Sequence, residues 1–163
     1  MKNFRQKLNS GLTLVEVLIA TSIILVFLVA LLSVHSLYLR VALSNGNAIA
    51  AAYLAEEGIE AVRFLRDSSW DTNIAPLVLG TNYGVLWNGT TWATSTTNTW
   101  IDTGFARTVT FSAVYRDTNR DIVSSGGTLD PNTRLLVSSV SWPNAGATTT
   151  KSISTYLTDI LEN

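Results

Sequence analysis

Hydrophobic and polar positions divide the chain into three patterns. Residues 12–32 are apolar except at Thr13, Glu16, Thr21 and Ser22, and the pattern continues through Leu37, Leu39, Val41 and Leu43. About 20 consecutive apolar residues cross a bilayer as a helix, so this stretch predicts a membrane-spanning helix. Ser44-Asn45-Gly46-Asn47 interrupts it. A helix-interior glycine is about 1 kcal/mol less favourable than alanine, so a weak point is expected here, as a melt, a kink or a short loop. Beyond it, Ala48, Ala52, Ala55, Ile59 and Val62 recur at helical spacing, widened by Ala51, Leu54 and Leu65. Glu56, Glu57, Glu60, Arg63 and Arg66 lie largely off that stripe. One apolar face and one charged face predict a helix that packs on a sheet and ends near Arg66.

The third pattern begins at Ser68, where Thr, Ser, Asn, Gly and Trp take over. Leu86-Trp87-Asn88-Gly89-Thr90-Thr91-Trp92 predicts a hairpin, because Asn-Gly suits a two-residue turn with positive φ. Thr90–Thr99 is low in complexity and is expected as an exposed loop. Three later stretches read as strands. In 105–115, the residues Phe105, Val109, Phe111, Ala113 and Tyr115 are expected on one face. In 134–142, Leu136, Ser138, Val140 and Trp142 alternate with Leu135 and Val137, and Pro131 and Pro143 are expected to bracket the strand. In 149–157, Lys151, Ile153, Thr155 and Leu157 share a face. The expected class is α+β: a long N-terminal helix whose second half packs on an antiparallel sheet.

Charge refines the first pattern. The 163 residues carry a net charge of −1, which gives no indication of a nucleic-acid partner. Lys2, Arg5 and Lys7 lie in the first eleven residues with no acid beside them. Without that segment, eight bases face twelve acids. Bases ahead of an apolar span predict an N-terminus in the cytoplasm and the remainder outside. A cleaved secretory signal fits less well, because its apolar core runs about 7–15 residues and ends at a small-x-small site. The chain has no cysteine, which excludes disulfides, thiolate metal sites and a lipidated cysteine anchor.

Neither a signal peptide nor a simple anchor accounts for Glu16. A carboxylate in a membrane span costs about 2.5–3.5 kcal/mol on insertion scales and usually has a partner. A basic leader, Ser10-Gly11, and then Leu12-Thr13-Leu14-Val15-Glu16-Val17-Leu18-Ile19-Ala20 resemble the processing site of class III prepilins, the precursors of type IV pilins and type II secretion pseudopilins. The resemblance covers about the first thirty residues. It implies cleavage after Gly11 by a prepilin peptidase and methylation of a new N-terminus at Leu12. Glu16 becomes the fifth mature residue, where that family carries a glutamate. Leu12 departs from the family's usual Phe or Met. The resemblance further implies that Glu16 pairs with the Leu12 amine of a neighbouring subunit and sets register. Ala48–Trp70 is similar, more locally, to helices of minor pilins.

Other candidate chemistry is sparse. His35 is the single histidine, at the edge of the apolar run, and has no histidine or cysteine with which to form a metal site or triad. No catalytic constellation is evident. Asp117, Asn119 and Asp121 follow the first half of a calcium loop, but Ile122 and Thr128 replace the required Gly and Glu. A polar turn is expected there, with no metal and no cofactor. Trp70, Trp87, Trp92 and Trp100 are expected to be exposed near a loop-rich region, there to lock the head or face neighbouring subunits.

The resulting layout is a leader at 1–11, a transmembrane or filament-core helix at 12–44, its amphipathic half at 45–67 and a β-rich head at 68–163. The function it implies is structural: a subunit, expected to be minor, of a type IV pilus-like or pseudopilus filament. Its partners would be the peptidase, other pilin subunits, the inner-membrane assembly platform and membrane lipid. It would be held in the cytoplasmic membrane as a single-pass precursor and reach the cell surface in the filament. The alternative is a membrane-anchored adhesion module with a Trp-rich head.

Overall fold

The computed structural model describes residues 13–97, 99–101, 104–144 and 146–160. The processing positions Gly11 and Leu12 lie outside the described residues. One helix, α1, runs over Leu14–Ser68 without a break at Ser44–Asn47. The chain divides into two compact units, Met1–Leu43 and Ser44–Asn163.

In the first unit every described residue, from 13 to 43, is exposed. This part of α1 is long and apolar enough to cross a membrane. Its few hydroxyls do not demand water. Thr21 donates to the Val17 carbonyl at 2.9 Å, Ser22 to Leu18 at 2.7 Å and Ser33 to Val29 at 2.9 Å. Bonding back to the i−4 carbonyl satisfies each hydroxyl inside the helix, as a lipid environment requires.

The second unit joins the remainder of α1 to a short helix, α2 (Trp70–Asn73), and six strands. These are β1 (Asn82–Trp87), β2 (Trp92–Ser95), β3 (Ala106–Arg116), β4 (Ile122–Val123), β5 (Thr128–Asn144) and β6 (Ala147–Thr158). The sheet is antiparallel with order β2-β1-β3-β5-β6, and β4 pairs with β3. Ile59, Val62 and Leu65 of α1 share one buried cluster with Val85, Val109, Phe111, Leu136 and Leu157. Ala51 and Ala55 share a second with Val140 and Trp142. The buried stripe is thus centred on Ala51, Ala55, Ile59, Val62 and Leu65, while Ala48 and Ala52 are only half-buried.

Several strand expectations change. Trp92–Ser95, expected within a loop, pairs with β1 from Trp87↔Trp92 to Gly84↔Ser95. The turn between them therefore has four residues rather than two. Asn88 closes it by accepting the N–H groups of Thr90 and Thr91 on its side-chain oxygen. Pro131 and Pro143 lie inside β5 rather than bracketing it. Ala113 pairs with Arg134 but Val114 pairs with Asp130, so Pro131, Asn132 and Thr133 are skipped in the pairing with β3. Proline is tolerated there because no ladder N–H is needed. The bulge also switches the face of β3: Val114 points inward and Tyr115 outward, against the alternation expected at Ala113 and Tyr115. Arg116 braces this corner. Its Nε donates to Asp130 Oδ2 at 2.6 Å and its Nη1 to the Arg120 carbonyl at 2.8 Å.

A charged residue holds the helix to the sheet. Arg107, on the inner face of β3, is 2% exposed. Its Nη1 donates to the Leu54 carbonyl of α1 at 3.0 Å, and its Nη2 to the Val85 carbonyl of β1 at 2.9 Å. Glu57 lies 3.4 Å from Nη1, and the Trp92 ring lies under the guanidinium at 5.6 Å. Burial pulls the Arg107 pKa down, and Glu57 opposes that pull. Gly58 makes the approach possible. A Cβ there would stand 2.6 Å from Ser138 Oγ and 2.8 Å from Arg107 Cδ.

Two outcomes are expected. Gly58→Ala should destabilise the head by about 1–3 kcal/mol through overpacking. Ser138→Ala, which removes a buried hydroxyl that has no hydrogen-bond partner among the described residues, should recover part of that loss; thermal unfolding of the four variants in detergent measures the coupling. Equal losses with and without Ser138 Oγ would refute the close-approach account. The second concerns acid. The Arg116 hydrogen bond holds the Asp130 carboxyl below its ordinary pKa. Its stabilisation is therefore present above the ordinary value of about 3.9 and is lost as pH falls through the depressed native value. The melting temperatures of wild type and Asp130→Asn should differ at neutral pH and converge in acid.

Candidate functional site

The N-terminal segment holds the sequence-predicted site, and the described part of it centres on Glu16. Thr13 precedes the first helical residue, so Glu16 is the third residue of α1. The Glu16 N–H donates to Thr13 Oγ1 at 3.3 Å. In return, the Thr13 N–H and hydroxyl both donate to Glu16 Oε2 at 3.3 Å. This is a reciprocal capping box, the Thr-x-x-Glu arrangement that satisfies orphan donors at a helix start. The carboxylate also sits where the helix dipole is positive, which favours its negative charge. The T-x-x-E spacing was legible in the sequence, yet Glu16 was read there only as a partner for another subunit.

Glu16 Oε1 has no hydrogen bond among the described residues, so one oxygen is engaged and the other is left able to accept. Leu12 directly precedes Thr13 in the chain. Downstream of the carboxylate, Leu18, Ile19, Ile23, Leu25, Phe27 and Leu28 begin an apolar surface exposed on every side of the helix. A helix apolar all round has no water-facing side, so its covering must be lipid or protein.

The remaining candidates resolve locally. His35 is exposed on α1 beside Leu31, Leu32, Val34 and Tyr38. Asp117 Oδ1 accepts the N–H groups of Asn119 at 2.8 Å and Asp121 at 2.9 Å, so the acidic repeat forms a polar turn, with Arg120 at positive φ. Among the described residues, no cluster of three or more His, Cys, Asp or Glu is placed to hold a metal. The tryptophans divide. Trp70 and Trp142 are core residues, against the expectation that Trp70 is exposed, and Trp92 is half-buried beneath Arg107. Trp87 and Trp100 are 54% and 58% exposed. Arg107, which anchors the head, went unread in the sequence because a lone arginine in a strand pattern looks like a solvent-facing position.

Comparison with known proteins adds one finding. Residues 6–32 match the family model of the prokaryotic N-terminal methylation motif, a structural rather than an enzymatic motif. No curated protein and no solved structure matches the chain. The match spans Gly11, Leu12, Thr13 and Glu16, and implies processing by a prepilin peptidase and assembly with other pilins. The chain therefore carries the class III prepilin signal of type IV pilins and pseudopilins.

Proposed function

We propose that the protein is a structural subunit, of the minor kind, in a type IV pilus-like or pseudopilus filament. The observation that carries this reading is the methylation motif at 6–32 leading into a helix whose residues 13–43 are exposed all round. The precursor is held in the cytoplasmic membrane with Lys2, Arg5 and Lys7 inside. The peptidase cuts after Gly11, and Leu12 becomes a methylated N-terminus. An assembly platform then moves the helix from lipid into a bundle of like helices, and the head faces the cell exterior. Exchanging lipid for protein neighbours keeps the apolar surface covered throughout.

Within that reading Glu16 has two successive roles. In the stored subunit its Oε2 caps its own helix. In the filament its free Oε1 accepts the Leu12 ammonium of a neighbour. A low-dielectric setting makes such a pair strong and a missing partner costly, so subunits dock only in one register. A second reading, a membrane-anchored adhesion module, draws on the exposed Trp87 and Trp100.

Processing is tested by mass spectrometry of the purified chain. The expected mature protein begins at Leu12, and Gly11→Leu should leave the precursor uncut. An intact Met1 in assembled material, or a cut beyond residue 30, would overturn the proposal. The two roles of Glu16 separate by mutation. Thr13→Val removes the hydroxyl of the cap and keeps the carboxylate; loss of a capping side chain costs about 0.5–2 kcal/mol. Glu16→Ala removes cap and charge together. Both should insert in the membrane and be cleaved. Glu16→Ala should be largely absent from sheared filaments, Glu16→Gln intermediate, and Thr13→Val near wild type. Equal incorporation of Thr13→Val and Glu16→Ala would reduce Glu16 to a helix cap.

A further inference from the structure

Strand β6 ends the sheet, and its outer edge is built unlike a protected edge. Twelve consecutive pairs, Thr133↔Thr158 to Asn144↔Ala147, join it to β5 with no register shift. Among the described residues, no backbone group of Ala147–Thr158 bonds to backbone outside that ladder; the Tyr156 carbonyl accepts the Thr155 hydroxyl at 3.4 Å. Natural edges are usually blunted by shortness, proline, bulges or several charges. This one is long, continuous and free of proline, with Lys151 its single charge. The opposite edge, β2, has four residues.

Beside this edge lies a cleft of about 460 Å³. Ala48, Ile49, Ala52, Tyr53 and Glu56 of α1 line it on one side and Lys151 on the other. Ile49 and Tyr53 are 59% and 68% exposed, between the half-buried Ala48 and Ala52 and the exposed Glu56. Register puts Lys151, Ile153 and Leu157 on the same inward face as Val140, Ser138 and Arg134. Side chains on the inner face of any strand added to β6 would therefore extend that face toward the cleft. Neither Lys151 nor Glu56 forms an ion pair among the described residues.

From these two features together we infer that β6 receives an extended segment of another polypeptide chain as a seventh strand. The edge dictates the shape of the occupant. Its N–H and C=O groups that point away from β5 repeat every second residue, about 6.8 Å apart, and an extended backbone matches that repeat. The cleft dictates the side chains: apolar groups at alternate positions, to cover Ile49 and Tyr53. Lys151 dictates one charge, a carboxylate in the cross-strand position. The inference stands on the second unit alone and does not depend on leader cleavage.

The test uses the full-length chain in detergent micelles and a fluorescent ten-residue peptide of alternating valine and threonine with one central aspartate. Two further peptides carry N-methyl groups on alternate amides, one in each frame. An added strand directs only one set of amides at β6. One frame should therefore lose binding by more than about tenfold, or 1.4 kcal/mol, while the other binds normally. Lys151→Glu should weaken the aspartate peptide by a similar factor and bind a lysine-for-aspartate peptide in its place. Ile49→Asp, at an exposed helix position, should weaken both. Failure of the parent peptide to bind at about 1 mM, a limit of roughly −4 kcal/mol, would overturn the inference. So would equal binding in both N-methyl frames. A micellar dimer that the peptide cannot displace would also overturn it, because β6 would then pair with a second copy of itself.

Discussion

An apolar helix surface exposed on every side is the constraint on which the rest of the protein depends. Residues 13–43 present side chains outward on every side, and none of the described ones is buried. Such a surface is stable only in lipid or against similar helices. Every polar group on it must then be satisfied from within. Thr21, Ser22 and Ser33 donate to their own helix, and Thr13 and Glu16 close the N-terminal end. Among the described residues, what stays unbonded at that end is one carboxylate oxygen.

The head meets the opposite requirement, since it must be stable in water without disulfides. It does so with a small core and the buried cation of Arg107. Leu54 and Val85 offer carbonyls to Arg107 from α1 and β1, while Glu57 stands near enough to balance its charge. Removing the guanidinium would take the Arg107 donor from the buried Val85 carbonyl, at about 1–3 kcal/mol, while the Leu54 carbonyl would lose only its second donor. Gly58 has no side chain at the point where Arg107 and Ser138 reach the helix. The clamp thus explains a glycine in the middle of a helix, which propensity alone would disfavour.

Much of this was legible in the pattern of residues. The apolar run and the Gly11-to-Glu16 spacing announced the methylation motif and its helix. The alternation of Leu136, Ser138, Val140 and Trp142 fixed the inner face of β5. The α1 stripe was found but read about one residue off-centre, because alanines mark a helix face weakly. The bulge at 131–133 was not visible, since no local residue reveals which strand will lie opposite, and it reversed the faces of Val114 and Tyr115. Trp92–Ser95 was hidden by low-complexity composition, and its strand character comes from pairing with β1. Arg107 was missed because its value lies in carbonyls distant in sequence.

The capping box changes the physical account of Glu16. An uncompensated acid in the membrane would make the stored subunit unstable and would favour its immediate release. The cap removes much of that penalty, because Oε2 is already hydrogen-bonded and the helix dipole favours the charge. A carboxylate offers about four lone-pair sites, so a neighbour's ammonium adds to the cap rather than displacing it. In the filament reading, assembly therefore gains an ion pair without first breaking the helix start. On that reading the same residue would make the subunit tolerable in lipid and selective in the filament, with a different oxygen for each role.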